Sequence, residues 1–274
     1  MASKTFEWRP AKLLQDYNIS QDFALLILNQ PLKNGVNLRK LWKNLPLNDS
    51  NAKVFLFTAS VRVAADGGAN RLHKLSSFHG KYSNLQLIIG DLDSLTPTVR
   101  DFYSSQPSPA TVIHDADQES TDFAKAINWI RKEYPEGIDI VALGGIGGRV
   151  DQGLSQLHHL YLFQNDPEYS SGRVYLLSGS SLTFLLKAGT HQIQVREEGE
   201  EDAFGKHAGI IPLKEAANIT TKGFEWDVED WHTEIGGKLS TSNHILPDVQ
   251  TVQVTTDKDV LFTVALREGD VDDE

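Results

Sequence analysis

A chain of 274 residues, 40% hydrophobic and 23% charged, has the composition of a soluble globular protein and the length of one large domain or two modest ones. It contains no cysteine, which excludes disulfides, cysteine metal sites and thiol catalysis, and no apolar run reaches the ~18 residues that span a bilayer. The net charge of −11 is concentrated in Glu197, Glu198, Glu200, Glu201 and Asp202 and in Glu268, Asp270, Asp272, Asp273 and Glu274; without those ten acids about −1 remains, so neither nucleic acid nor a membrane is implied as a partner.

The first 22 residues mix charges and lack the apolar core of a secretory signal, so a cytoplasmic location is expected. Residues 23–28 (FALLIL) form a continuous apolar run followed by Asn29, Gln30 and Pro31, which predicts a buried parallel strand entering a loop. Residues 38–45 carry a short helical pattern. Residues 61–65 predict a second strand, stopped by Asp66-Gly67-Gly68, and residues 85–89 (LQLII) a third, stopped by Gly90-Asp91-Leu92-Asp93. Phe123, Ile127, Ile130 and Tyr134 fall on one helical stripe, with Ser120 as the expected N-cap. A strand over 138–143 runs into Gly144-Gly145-Ile146-Gly147-Gly148, and Val150, Leu154, Leu157 and Tyr161 then repeat the helical spacing. Residues 174–177 read as one more strand. Alternation of this kind predicts an α/β layer with a mostly parallel sheet flanked by helices.

Beyond about residue 182 the texture changes. Segments 182–186, 191–195, 210–212, 217–221, 238–241, 251–255 and 261–266 are short, often β-branched and separated by turn residues. They predict a C-terminal β-sandwich over 183–274, after an α/β catalytic domain over 1–182. The acidic stretch 197–202 and the tail are expected as a solvated loop and a frayed end.

The chemistry gathers at strand ends. Ligands of an open parallel sheet bind beyond the carboxyl ends of its strands, and Asp66, Asp91, Asp93 and Asp151 are all expected on that edge, with Asp122 opening a helix beside them. Clustered carboxylates repel one another unless a cation lies between them, and Mg²⁺ takes carboxylates together with substrate phosphates. The glycine cluster 144–148 opens a helix, where backbone N–H groups meet phosphate, and Arg149 adds a guanidinium. It matches neither a dinucleotide fingerprint nor a Walker A loop. Taken alone it is equally a tight turn. Trp226 reads as a core tryptophan or as a platform for an aromatic ring. The nine histidines show no metal-ligand spacing; His158 and His159 read as structural or exposed.

The ordered set LILNQP (26–31), ADGGANRL (65–72), GDLDS (90–94), DQESTDFAK (117–125), GGIGGRVDQ (144–152), GIIP (209–212), TTKGFEW (220–226) and STSN (240–243) resembles the thiamine pyrophosphokinase family over about residues 23–266. The resemblance implies an α/β domain followed by a β-sandwich. It also implies a homodimer with composite active sites, and transfer of diphosphate from ATP to thiamine with Mg²⁺. It implies Asp91, Asp93 and Asp122 as metal ligands, with Asp66, Arg149 and Asp151 joining them in catalysis. Asn29, Gln30, Gln118, Thr121, Gly145, Gly148 and Gln152 would bind ATP. Trp226, Ser240 and Asn243 would meet thiamine. Glu119 stands where the family's third segment carries a second Asp, so a metal role is not carried over to position 119. Two other functions remain open at this point: another metal-dependent nucleotidyl or glycosyl transferase, and a non-catalytic thiamine- or nucleotide-binding module.

Overall fold

A computed structural model describes residues 4–14, 22–32, 35–42, 59–79, 82–197 and 202–267. The chain forms two compact units, Tyr17–Gly179 and Met1–Asp16 with Ser180–Glu274. Strand β1 (Thr5–Trp8) belongs to the second of these and is taken up with it.

The unit Tyr17–Gly179 alternates strands and helices: β2 (Phe23–Ile27), α1 (Gly35–Trp42), β3 (Val61–Ala65), α2 (Gly68–His79), β4 (Leu87–Gly90), α3 (Pro97–Ser104), β5 (Thr111–His114), α4 (Asp122–Glu133), β6 (Asp139–Leu143), α5 (Val150–Phe163) and β7 (Val174–Leu177). Its strands lie in the order β7-β6-β2-β3-β4-β5, and every neighbouring pair is parallel. All five residues of β2 are buried, as a strand covered on both faces requires. From β2 the chain builds outward through β3, β4 and β5, then returns to place β6 on the other side of β2. The switch point therefore lies between β2 and β6, where open α/β sheets form their ligand crevice. Helix α4 turns Phe123, Ala126, Ile127 and Ile130 inward and packs on β3 and β4.

Two local expectations are corrected. The N-cap of α4 is Thr121, whose hydroxyl accepts from the Ala124 N–H at 3.1 Å, while the Ser120 hydroxyl donates instead to Asp117. Helix α5 forms as expected but buries a different face. Val150 is 78% and Leu154 54% exposed, whereas Gly153, Gln156, His159 and Leu160 point inward.

The other unit carries β8 (Ser181–Leu186), β9 (Gly189–Gln194), β10 (Phe204–Ile211), β11 (Ala217–Lys222), β12 (Trp231–Thr233), β13 (Ser240–His244), β14 (Thr251–Thr256) and β15 (Val260–Leu266). One layer runs β8-β15-β10-β13, all antiparallel, and the other runs β1-β9-β14-β11-β12. Alternating burial along β14 and β11 gives each strand one core face. The N-terminal strand thus corrects the expected boundary: residues 5–8 belong to the sandwich rather than to the α/β domain. Its alternation of exposed Thr5 and Glu7 with buried Phe6 and Trp8 suits a strand with one face inward, and it pairs in parallel with β9. Trp8 stacks on Phe184 of the opposite layer at 4.6 Å, and its indole N–H donates to His191 Nδ1 at 2.9 Å. The His191 ring also stacks on Phe6, and its Nε2 faces the Lys187 carbonyl at 2.8 Å. That pair of partners fixes the ring as the neutral tautomer protonated on Nε2. Residues 198–201 and 268–274 of the two acidic clusters lie outside the described residues. Among the described residues, no helix is long and apolar enough to cross a membrane.

Trp8→Phe keeps the stacked ring and removes the donor, leaving His191 Nδ1 buried without its partner. Unfolding in urea is expected to show a loss of about 1–3 kcal/mol, the cost of an unsatisfied buried acceptor; Trp8→Ala is expected to lose about 3–5 kcal/mol.

Candidate active site

The carboxyl ends of β2, β3 and β4, with the start of α4, hold the acidic and polar groups that the sequence gathers from distant segments. One carboxylate oxygen each from Asp66, Asp91 and Asp93 lies within 4.8 Å of the others. Asp122 adjoins them, its Oδ1 accepting from the Asp91 N–H at 3.2 Å. Its Oδ2 has no hydrogen-bond partner among the described residues.

Asp66 organises the loop after β4. Its two carboxylate oxygens accept from the N–H groups of Ser94 (3.2 Å) and Leu95 (3.1 Å), curling residues 91–95 around it. Asp91 accepts from the Asp93 N–H at 3.2 Å and Asp93 from the Ser94 hydroxyl at 2.9 Å. Asn70 of α2 ties down the loop's far end through Ser94 and Thr96. Two non-glycine residues here, Asp66 at φ 40° and Leu92 at φ 62°, hold left-handed backbone, which costs about 1–3 kcal/mol each and concentrates at functional sites. Gly90 is required at the centre: a Cβ there would lie 2.8 Å from both Asp122 Oδ1 and the Asp66 Cβ. A side chain at position 90 would push apart the carboxylates that the loop brings together.

Burial and hydrogen bonding separate the acids electrostatically. Burial raises Asp66 above the ordinary carboxylate range, and it raises Asp122 likewise. Asp91 is held below that range, chiefly by the Asp93 N–H. Lys125, one turn along α4 and 4% exposed, brings a buried positive charge to the cluster: its ammonium donates to the Asp115 carbonyl at 2.8 Å and to Asp122 at 3.4 Å. The donor set is hard oxygen, as Mg²⁺ or Mn²⁺ takes, so the cluster fits a divalent cation.

A cavity of about 370 Å³ opens beside the cluster. Asp91 and Asp122 line it together with Asn29, Gln30, Gln118, Thr121 and Gln152, and with Gln156 and His159 of α5. Thr121 and His159 meet in its wall, Oγ1 to Nε2, at 2.7 Å, and His159 Nδ1 faces the Ser155 carbonyl. The sequence reading set His159 aside; nothing in the spacing of histidines signals that α5 turns it toward Thr121. Lys125 was also missed, although its place three residues after Asp122 on one helix puts both on the same face.

Arg149 and Asp151 lie on the surface at the start of α5, paired with each other, the guanidinium Nε donating to Asp151 Oδ1 at 3.0 Å. Each shifts the other: the carboxylate raises Arg149 and the guanidinium lowers Asp151. Gly145 and Gly148 shape the turn before them, Gly148 in left-handed backbone beside the Gln30 side chain. None of these four lines the cavity.

In the sandwich, Trp226 stands 55% exposed, its ring 5.0 Å from that of His244. Asn243 is buried and clamps this turn: its side-chain oxygen accepts from the Trp226 N–H at 3.2 Å, and its amide donates to the Trp226 carbonyl at 2.9 Å. Its carboxamide is thus committed to orienting Trp226. Ser240 lies half-buried at the start of β13.

Comparison with known proteins follows this division. Residues 52–169 match the family model "Thiamin pyrophosphokinase, catalytic domain", and residues 190–261 match "Thiamin pyrophosphokinase, vitamin B1 binding domain". The chain is 33% identical to thiamine pyrophosphokinase 3 of Oryza sativa subsp. japonica over 261 residues, which cover 89% of this chain and 87% of that protein. It is 28% identical to thiamine pyrophosphokinase of Saccharomyces cerevisiae, covering 91% and 87%. The crystal structure of the yeast thiamin pyrophosphokinase aligns with a TM-score of 0.73 at 25% identity, over 95% of this chain and 91% of that one. Thiamin pyrophosphokinase from Candida albicans shares the fold at a TM-score of 0.75 and 24% identity, covering 95% and 93%.

The raised carboxyls set the pH response of the cluster. A divalent cation binds the deprotonated acids, so binding weakens as pH falls. With Asp66 and Asp122 raised by burial, the weakening begins at a higher pH than ordinary carboxylates, near 4, would give. Titration with Mn²⁺, followed by water-proton relaxation, is expected to show lower affinity at pH 5 than at pH 7.5. Equal affinity at both would remove the cluster as the binding site.

Proposed function

The chain belongs to the thiamin pyrophosphokinase family and makes thiamine diphosphate from thiamine, and we propose that ATP is the diphosphate donor, AMP the second product and Mg²⁺ the metal. The observation that carries this reading is the convergence of Asp66, Asp91 and Asp93, with Asp122 adjoining, beside a cavity at the carboxyl end of a parallel sheet.

In this reading the hydroxyethyl oxygen of thiamine attacks the β-phosphorus of ATP. An O–P bond forms there, the bond from the bridging oxygen to that phosphorus breaks, and AMP leaves with the bridging oxygen. Phosphoryl transfer of this kind depends on positioning and on charge neutralisation. Asp91 and Asp93, with Asp122 or Asp66, would hold Mg²⁺, which when bound would supply positive charge to the phosphate oxygens. Asp66 and Asn70 keep the 91–95 loop in shape, and Lys125 steadies Asp122. Gln118, Thr121, Gln152, Asn29 and Gln30 line the nucleotide cavity, with the Gly145–Gly148 turn behind them. Arg149, exposed on a short tether to Asp151, reaches for phosphate oxygens, which compete with that carboxylate for the same fork of donors. Trp226, oriented by Asn243, offers its open face to the thiamine rings, with Ser240 near by. The hydroxyl proton departs late and passes to solvent or to a cluster carboxylate.

The same reading makes the protein a homodimer with active sites shared between copies. Its support is the apolar surface that each unit leaves open: Val150 and Leu154 on α5, and Trp226 and Ile235 on the sandwich. Light scattering coupled to gel filtration is expected to give twice the 30.4 kDa chain mass, and Leu154→Glu to shift it toward the monomer.

The direct test of the chemistry is AMP release from ATP and thiamine, with and without Mg²⁺. Turnover is expected only when all three are present. Asp91→Asn is expected to lower kcat by on the order of 10², the loss typical of removing one key charge-stabilising group. An Asp91→Asn enzyme with unchanged kcat would remove the metal assignment.

A further inference from the structure

One buried imidazole holds the residue on each side of Asp122. His159 of α5 is 3% exposed, its Nε2 lies 2.7 Å from the Thr121 hydroxyl, and its ring stacks on that of Phe123 at 4.8 Å with 26° between the planes. Packing alone would accept a phenylalanine there, so the ring nitrogens need their own account. Nδ1 faces the Ser155 carbonyl, which can only accept, so Nδ1 carries the ring proton and Nε2 is an acceptor. Burial lowers the His159 pKa, which keeps the ring in that neutral form. The Thr121 hydroxyl therefore donates to Nε2, and its oxygen is left to accept from the Ala124 N–H at 3.1 Å. A hydroxyl turns freely about its C–O bond; here the imidazole fixes its hydrogen, and a lone pair faces the open amide of α4. The Thr121 carbonyl accepts from the Lys125 N–H at 2.9 Å, so the residue before Asp122 is bound into the helix start by its side chain and its backbone.

We propose that His159 is a positioning residue for the metal site: through Thr121 and Phe123 it sets where Asp122 presents its carboxylate. The inference rests on the reading of Asp122 as a ligand of the divalent cation. Mg²⁺ asks for near-octahedral oxygens at about 2.0–2.1 Å, so a small shift of the helix start weakens its hold. The carboxylate itself is oriented from the other side, Oδ1 accepting from the Asp91 N–H at 3.2 Å and from Lys125 at 3.4 Å. Those bonds do not hold the backbone that carries it. That backbone is held at Thr121 and Phe123, and His159 touches both. His159 also lines the cavity, but both of its ring nitrogens are engaged within the protein, so it acts on the site through its neighbours.

The test is a set of Mn²⁺ titrations, followed by water-proton relaxation, on the wild type, His159→Phe, Thr121→Val and the double variant. Phenylalanine keeps the stack and removes the acceptor; valine keeps the shape of Thr121 and removes the hydroxyl. The number of sites per chain reports the folded fraction, so Kd is compared among folded molecules only. Groups that orient a metal ligand are typically worth ten- to a hundredfold in affinity, and either single change is expected to raise the Mn²⁺ Kd by about tenfold. Both remove the same contact, so the double variant is expected to stay within about twofold of the weaker-binding single one. If phenylalanine prevents folding, His159→Asn, whose side chain is too short to reach Thr121, takes its place with the same expectation. Wild-type binding with Kd unchanged in either single variant overturns the inference and leaves the metal site standing. Losses that multiply in the double variant overturn it too, because His159 then acts by another route. A wild type that binds no Mn²⁺ removes the metal reading and the inference together.

Discussion

Negative charge brought together at the end of the parallel sheet governs the α/β unit. Four carboxyl groups, from the ends of β3 and β4 and the start of α4, converge, Asp66 and Asp122 drawn out of water and Asp91 and Asp93 nearer solvent; burial opposes the charge on the first two, and mutual repulsion opposes the whole cluster. The protein answers with fixed partners. Backbone N–H groups of residues 91–95 point at Asp66 and Asp91, the Asp91 N–H points at Asp122, and Lys125 places its ammonium beneath. Each partner holds an oxygen in place without filling all its lone pairs, so the oxygens stay able to take a cation. The left-handed backbone at Asp66 and Leu92 and the glycine at 90 are the structural consequence: the loop must bend sharply enough for its own amides to face inward.

The sandwich solves a different problem, that of presenting an aromatic face to solvent. An exposed tryptophan on a mobile turn would collapse onto the nearest apolar surface. Asn243 prevents this by closing both backbone polar groups of Trp226 within its carboxamide, and Asp227 secures the same turn through Gly223 and Phe224. The carboxamide of Asn243 holds the backbone on which the exposed Trp226 ring stands.

Strands β2, β3, β4, β6 and β7 and the common edge of Asp66, Asp91 and Asp93 were legible in the sequence, because a strand buried on both faces writes a continuous apolar run and a carboxylate after it has one place to go; β5, an edge strand with no fully buried residue, was not, and Asp151 lies apart on the surface of α5. The 5–8 strand was not legible. Four residues with two inward positions carry too little periodicity to be distinguished from an irregular terminus, and the pairing with β9 spans nearly two hundred residues of chain. The N-cap was misread by one residue because Ser120 and Thr121 are chemically equivalent caps, and only the course of the preceding loop decides which hydroxyl faces the Ala124 N–H. Lys125 and His159 escaped because their partners are supplied by the fold: a lysine three residues after an aspartate is ordinary on any helix surface, and only burial makes it part of the site.

Helix α5 is where the hydrophobic pattern and the structure disagree most, and the disagreement is informative. Its best apolar stripe, Val150 and Leu154, faces solvent, while Gln156 and His159 are buried. Apolar side chains gain by leaving water and a buried amide loses by entering it, so an isolated helix in this orientation is inverted. Rotating α5 to bury the stripe would take Gln156 and His159 out of the cavity and break the contact with Thr121, which caps α4 immediately before Asp122. The orientation is therefore tied to the site through Thr121. Placing Gln156 and His159 inward thus carries a cost on the other side of the helix, where Val150 and Leu154 stay in water.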